Sequence, residues 1–196
     1  MARISPAPAE RFAEVAEHMQ RWKQQKGYPP NSWLTMLRKP KVFRAYRELH
    51  TAVMMDAGEL SKGLKFMIAQ AVSDAAGDRY CTAHNAENAA HLGGVAAEKI
   101  MAVSQFRESP LFTPAERAAL ELAVAAGSAP PAVTDAHFVE LKKHFSEDAI
   151  VEIVAVLALL GWLNRWCQAL APQLEPDAAA FAAKHLAPSG WRAPQN

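Results

Sequence analysis

The stretch GDRYCTAHN, residues 77–85, sets a carboxylate, Asp78, three residues before a thiol, Cys81, with an imidazole, His84, three residues after it and an amide, Asn85, alongside. On a helix, residues three or four apart share a face, so one turn would place a nucleophile between an acid and a base. That set suits thiolate chemistry. A free thiol titrates at about 8.5 and is mostly protonated at neutral pH, and an adjacent imidazole or helix N-terminus lowers that value. Cys81 would sit in the first turn after Gly77, where the helix dipole favours an anion. The negative Asp78 opposes the thiolate unless His84 is charged between them. The same residues also fit a plainer arrangement, in which Cys81 packs as a small apolar group, Asp78 is the N-cap and His84 is a hydrogen-bonded surface or interface residue. Asp, Cys and His are all metal ligands, but three positions along one helix seldom close on a single ion and no second ligand cluster stands out. Neither a metal nor a cofactor is therefore expected.

Helices must supply that spacing, and helix signals recur along the chain. Sustained alternation of β-branched with polar residues and tight Asn-Gly or Asp-Gly turns do not occur. Phe12, Val15, Met19 and Trp22 repeat at helical spacing and indicate an N-terminal helix within residues 1–29. Pro40 divides a short helix from a longer one, because proline disfavours helix in the residue before it and starts a new first turn comfortably. Ser61 caps a helix that stops at Gly77, and the reactive stretch opens the next, closed by Gly93 and Gly94. Thr113, Pro114 and Glu116 form a capping-box start to a helix that stops at Gly127. Thr134 and Ser146 cap two more, the second with acidic residues in its first turn. Residues 149–163 are the most apolar window, shorter than the roughly 20 residues needed to cross a bilayer and interrupted by Glu152, which reads as a buried core helix. A last helix begins near Asp177, before a tail, residues 187–196, expected to be mobile.

With 196 residues, 51% of them hydrophobic and 21% charged, the chain can bury a substantial core in one domain over residues 1–196. The formal net charge of +1 creates no field to draw in nucleic acid. The first residues hold no apolar run of the secretory type, so a cytoplasmic location is expected, with no membrane partner. Two cysteines in that compartment argue for free thiols.

Residues 60–94, LSKGLKFMIAQAVSDAAGDRYCTAHNAENAAHLGG, resemble the core of the alkylhydroperoxidase D and carboxymuconolactone decarboxylase superfamily, whose motif is a Cys-x-x-Cys-x-x-x-His helix followed by glycine. The preceding stretch from Asn31 to Met54 resembles its peroxidase-related branch, as does the following one, including Asn164 and Arg165, so that the likeness spans residues 30–170. The resemblance implies an all-α, single-domain helical bundle built on a helical hairpin, through which it assembles into homo-oligomers. In active members the second motif cysteine attacks peroxide, the first resolves it as a disulfide, and a glutamate and the motif histidine relay protons. The peroxidatic position falls on Cys81, the resolving position on Asp78, the relay glutamate on Phe66 and the relay histidine on Asn85. His84 matches a second histidine common in that branch.

Three readings follow. The first is an alkylhydroperoxidase-like thiol oxidoreductase of the peroxidase or antioxidant type, in which Cys81 alone reduces peroxide, His84 assists and an external thiol regenerates it. Cys167 would then either resolve Cys81 or simply pack in the most apolar helix. The second is a cysteine-independent lyase or decarboxylase-like enzyme acting on a small organic acid through Asp78 and His84, with His91 or Arg165. The third is a non-catalytic ligand-binding oligomer with a dry pocket beside Phe66, lined by Trp33, Trp162 and Trp166.

Overall fold

The computed structural model describes residues 2–16, 20, 23–24 and 27–194. Among them nine α-helices form and no strand, as the all-α expectation required. They are α1 (Asn31–Met36), α2 (Pro40–His50), α3 (Lys62–Ala75), α4 (Arg79–His91), α5 (Ala97–Met101), α6 (Pro114–Gly127), α7 (Asp135–Leu141), α8 (Glu147–Leu170) and α9 (Pro176–His185). A π turn, Thr51–Met55, prolongs α2. Of the N-terminal helix, Ala9–Val15 forms a 3-10 segment with Val15 buried, whereas Met19 and Trp22 lie outside the described residues.

The bundle is organised around α3, in which every residue from Gly63 to Ser73 is buried. A helix enclosed on all sides is a core element, and α4, α6 and α8 surround it. Of its buried polar side chains, Gln70 donates to the Ile100 carbonyl at 3.2 Å and Lys65 is paired, whereas the Ser73 hydroxyl has no hydrogen-bond partner. The Lys65 ammonium lies 3.4 Å from Glu152 Oε2 and donates to the Asp56 carbonyl at 3.4 Å. Glu152 also accepts the backbone N–H groups of Glu59 and Leu60, at 2.8 and 3.3 Å. The one carboxylate in the apolar window thus anchors the loop before α3. It belongs to a helix of 24 residues, longer than that window, whose buried positions Ile153, Val156, Leu160 and Leu163 join the core.

The hairpin of α3 and α4 is closed at one end by Gly77 in the left-handed region, φ 71°. At the other, a Cβ on Gly93 would stand 2.8 Å from the Gly63 Cα, so the two backbones meet where no side chain fits. The caps at Ser61, Thr113 and Ser146 bond the amides of Leu64, Glu116 and Ala149. Helix α5 has no such cap and only five residues, which explains why its sequence does not announce it. In the C-terminal segment, the Trp191 indole is buried and donates to the Arg79 carbonyl at 3.1 Å, tying that segment to the start of α4.

Phe66 has no exposed surface. Phe66→Ala is expected to cost about 3–5 kcal/mol in chemical denaturation, the range for truncating a buried aromatic in a close-packed core.

Candidate active site

Asp78 is the N-cap of α4, its Oδ1 accepting the Cys81 amide at 3.0 Å. This local bond, the N-cap expected of Asp78, holds Cys81 in the first turn of the helix. The decisive contact comes from far along the chain. Cys167, on α8, brings its Sγ to 3.7 Å from Cys81 Sγ across 86 residues. Both cysteines are free and buried. Cys167 is thus both packed in the core and in contact with Cys81.

The environment disfavours the thiolate at both cysteines. The Cys81 thiol is pushed well above its ordinary value, first by its hydrogen bond to Cys167, then by burial and the negative charge of Asp78. For Cys167 that hydrogen bond acts downward, but burial and the charges of Asp78 and Glu175 prevail and its thiol is raised as well. Desolvation and a carboxylate thus work against the thiolate that a helix N-terminus favours. Burial raises Asp78 from 3.8 to about 6 despite the amide it accepts, and its Oδ2 is buried with no hydrogen-bond partner. A carboxyl titrating near neutrality beside a thiol pair is placed to exchange protons with it.

A folded-state pKa raised above the unfolded value makes the native state hold its proton more tightly. The stability Asp78 provides is complete below 3.8 and is lost as pH rises through about 6. Asp78→Asn keeps a cap of equal quality. It is expected to add about 1–3 kcal/mol at neutral pH and to flatten the decline between those values, read by denaturation at mildly acidic and neutral pH. Thiol alkylation in the same variant should shift to lower pH.

His84 sits beside the pair on α4 but is held by a residue of the segment between α8 and α9. Its Nε2 lies 2.6 Å from Glu175 Oε2. Glu175 Oε1 accepts the Tyr80 hydroxyl at 2.9 Å and the Asn31 amide. Burial alone would raise this carboxyl, but the hydrogen bond and charge of His84, with the Asn31 N–H, hold it below the ordinary value. Asn85 donates to the Cys81 carbonyl at 2.9 Å. Cys81, Cys167, His84 and Asn85 line one cavity of about 50 Å³, with Trp33, Tyr46 and His50.

Other expected residues lie elsewhere. Phe66 is core and does not line this cavity, because α3 turns it into the bundle interior. His91, with an exposed side chain, meets Glu87 at 3.7 Å, and Arg165 is exposed. Of the three tryptophans expected in a pocket, only Trp33 lines it, while Trp162 is 41% exposed and stacks between Tyr46 and Trp166. Glu175 is the residue that sequence reasoning missed, since nothing in its neighbourhood links it to His84. Asp78 and Cys81 of one helix and Cys167 of another also form a metal-competent set, with donor atoms within 4.8 Å of one another, suited to a soft divalent cation.

Comparison with known proteins agrees with this architecture. Residues 40–126 match the carboxymuconolactone decarboxylase family. The debrominase Bmp8, solved as a cysteine-to-alanine variant with 2,3,4-tribromopyrrole, is 32% identical over 92% of this chain and 96% of its own, with a TM-score of 0.84. The chain belongs to the carboxymuconolactone decarboxylase family. Within that family's fold, the alkylhydroperoxidase D core of a peroxidase-related protein from Ralstonia eutropha JMP134 covers 92% of this chain at a TM-score of 0.81 and 24% identity. The uncharacterized protein YnjA of Escherichia coli (strain K12) is 40% identical over 74 residues, a match spanning 41% of that relative's length. The α3–α4 hairpin lies within the matched residues and carries Asp78 at the N-cap of its second helix, with Cys81, His84 and Asn85 along it.

Proposed function

We propose that the protein is a thiol oxidoreductase in which Cys81 and Cys167 together deliver two electrons to a small hydroperoxide. The observation that carries this reading is the 3.7 Å separation of the two sulfurs beside a cavity. Asp78 takes the Cys81 proton, and the thiolate attacks the outer peroxide oxygen. The O–O bond breaks, His84 protonates the departing alcohol or water, and Cys81 is left as a sulfenic acid. Cys167 then attacks Cys81, expelling water and closing a disulfide. Two external thiols restore the dithiol and become a disulfide themselves. Glu175 positions His84 through the 2.6 Å contact.

Cavity size supports a small oxidant. About 50 Å³ is a third of the roughly 150 Å³ in which an engineered apolar cavity holds benzene. Hydrogen peroxide or the head of an alkyl hydroperoxide fits without rearrangement. The test is to treat the reduced protein with an equivalent of hydrogen peroxide and map the product. Loss of two hydrogens in a Cys81–Cys167 linked peptide is expected; unchanged thiols would reject the reading.

The kinship with a debrominase favours a second reading on the same atoms. A dithiol could replace a carbon–bromine bond with carbon–hydrogen, forming the same disulfide and releasing bromide and a proton. An aromatic ring would require Trp33, Tyr46 or His50 to move. Bromide release from a brominated pyrrole, with peroxide left unreduced, would select this reading over the first.

A further inference from the structure

Cys167 lines a second depression, of about 230 Å³, that Cys81 does not, together with Arg3, Asp78, Arg79, Tyr80 and Gln168. The dithiol thus lies between two spaces, the smaller lined by both cysteines and the larger by Cys167. Thiol–disulfide exchange is a displacement at sulfur, in which the attacking thiolate must approach along the S–S axis from behind the sulfur it strikes. For a Cys81–Cys167 disulfide, the approach to Cys167 comes from the side away from Cys81. We infer that this second depression is the docking site of the reductant, a small anionic thiol that attacks Cys167 while the oxidant uses the other cavity. This rests on the dithiol cycle proposed above.

The charges at the site select the ligand class. The Arg3 guanidinium donates to the Gln168 and Ala169 carbonyls at 2.7 and 2.8 Å, in the last turn of α8. Arg79, in the first turn of α4, donates to the Arg192 carbonyl at 3.2 Å. Neither contact neutralises a charge; Asp74, which does not line this depression, shares the field of Arg79, but the lining itself carries two cations against one carboxylate, Asp78, so an anionic thiol is preferred over a cationic one. In the exchange, the incoming thiolate bonds to Cys167 and the S–S bond breaks. Cys81 leaves as a thiolate and takes its proton by way of Asp78, whose carboxylate lies within 4.8 Å of both sulfurs. A second thiol attacks the donor's sulfur, releasing Cys167 and a low-molecular-weight disulfide.

The experiment isolates the reductive half. The disulfide is formed with diamide, so that it does not depend on peroxide, and its reduction is timed with 2-mercaptoethanesulfonate, 2-mercaptoethanol and cysteamine, which differ chiefly in charge. Dividing each rate in Arg79→Glu by the wild-type rate cancels the thiols' own reactivity. The sulfonate should slow by about tenfold or more relative to the neutral thiol and cysteamine should accelerate, as Coulomb's law gives for reversing a nearby charge. Glutamate is favourable in a first helical turn, and Arg3→Ala serves as a second variant. Acid-quenched samples should carry the mixed disulfide on Cys167. Equal changes for all three thiols, a mixed disulfide on Cys81, or no disulfide with diamide would overturn the inference. A disulfide that forms with diamide but not with peroxide would instead reject only the peroxide reading.

Discussion

Cys167→Ser is expected to stop repeated peroxide consumption, by at least about a hundredfold, while leaving a first equivalent of peroxide reduced. The serine hydroxyl cannot form a disulfide, so Cys81 would be trapped as a sulfenic acid, open to dimedone labelling and to overoxidation. Cys81→Ser should lose both the first equivalent and the label. The asymmetry follows from assigning Cys81 to the oxidant and Cys167 to closure. If the two variants behave alike, the assignment of roles fails even if the pair is active.

The second large effect concerns Glu175, which is only 5% exposed and carries charge into the core because three donors meet it. Glu175→Ala leaves His84, Tyr80 and the Asn31 amide without that acceptor and is expected to cost about 3–5 kcal/mol, as for breaking a buried pair from one side. Glu175→Gln keeps an acceptor and should cost less, yet still slow the peroxide step if His84 must be oriented to protonate the leaving oxygen. The pH signature has the opposite sign to that of Asp78. A carboxyl held below its ordinary 4.5 contributes stability that is complete above that value and is lost as pH falls through the lower folded-state value. Denaturation midpoints across the acid range should show this loss in wild type and not in Glu175→Gln.

Much of the scaffold was legible because its signals are local. Ser61, Thr113 and Ser146 bond the amide three residues ahead, as their types and positions suggest, and Gly77 supplies the left-handed turn between the hairpin helices. The acid, thiol, imidazole and amide of the reactive turn were legible for the same reason: they lie within eight residues of one another. What was hidden is what depends on packing. Glu175 reaches His84 across 91 residues and Cys167 reaches Cys81 across 86, separations at which no periodicity links side chains. Phe66, singled out by family position, faces the interior because α3 is buried all round, which a pattern of apolar residues could not distinguish from a pocket wall. Arg165, one position beyond the buried Asn164, turns outward on the same helix.

The two sulfurs belong to different layers of the bundle, one to the hairpin and one to the long helix α8. Oxidation would therefore do more than store two electrons. It would staple together parts of the chain 86 residues apart, restricting the unfolded ensemble by about 4–5 kcal/mol in the chain-entropy account. The melting temperature would become a gauge of redox state, with the spent, oxidised protein outlasting its reduced form on heating.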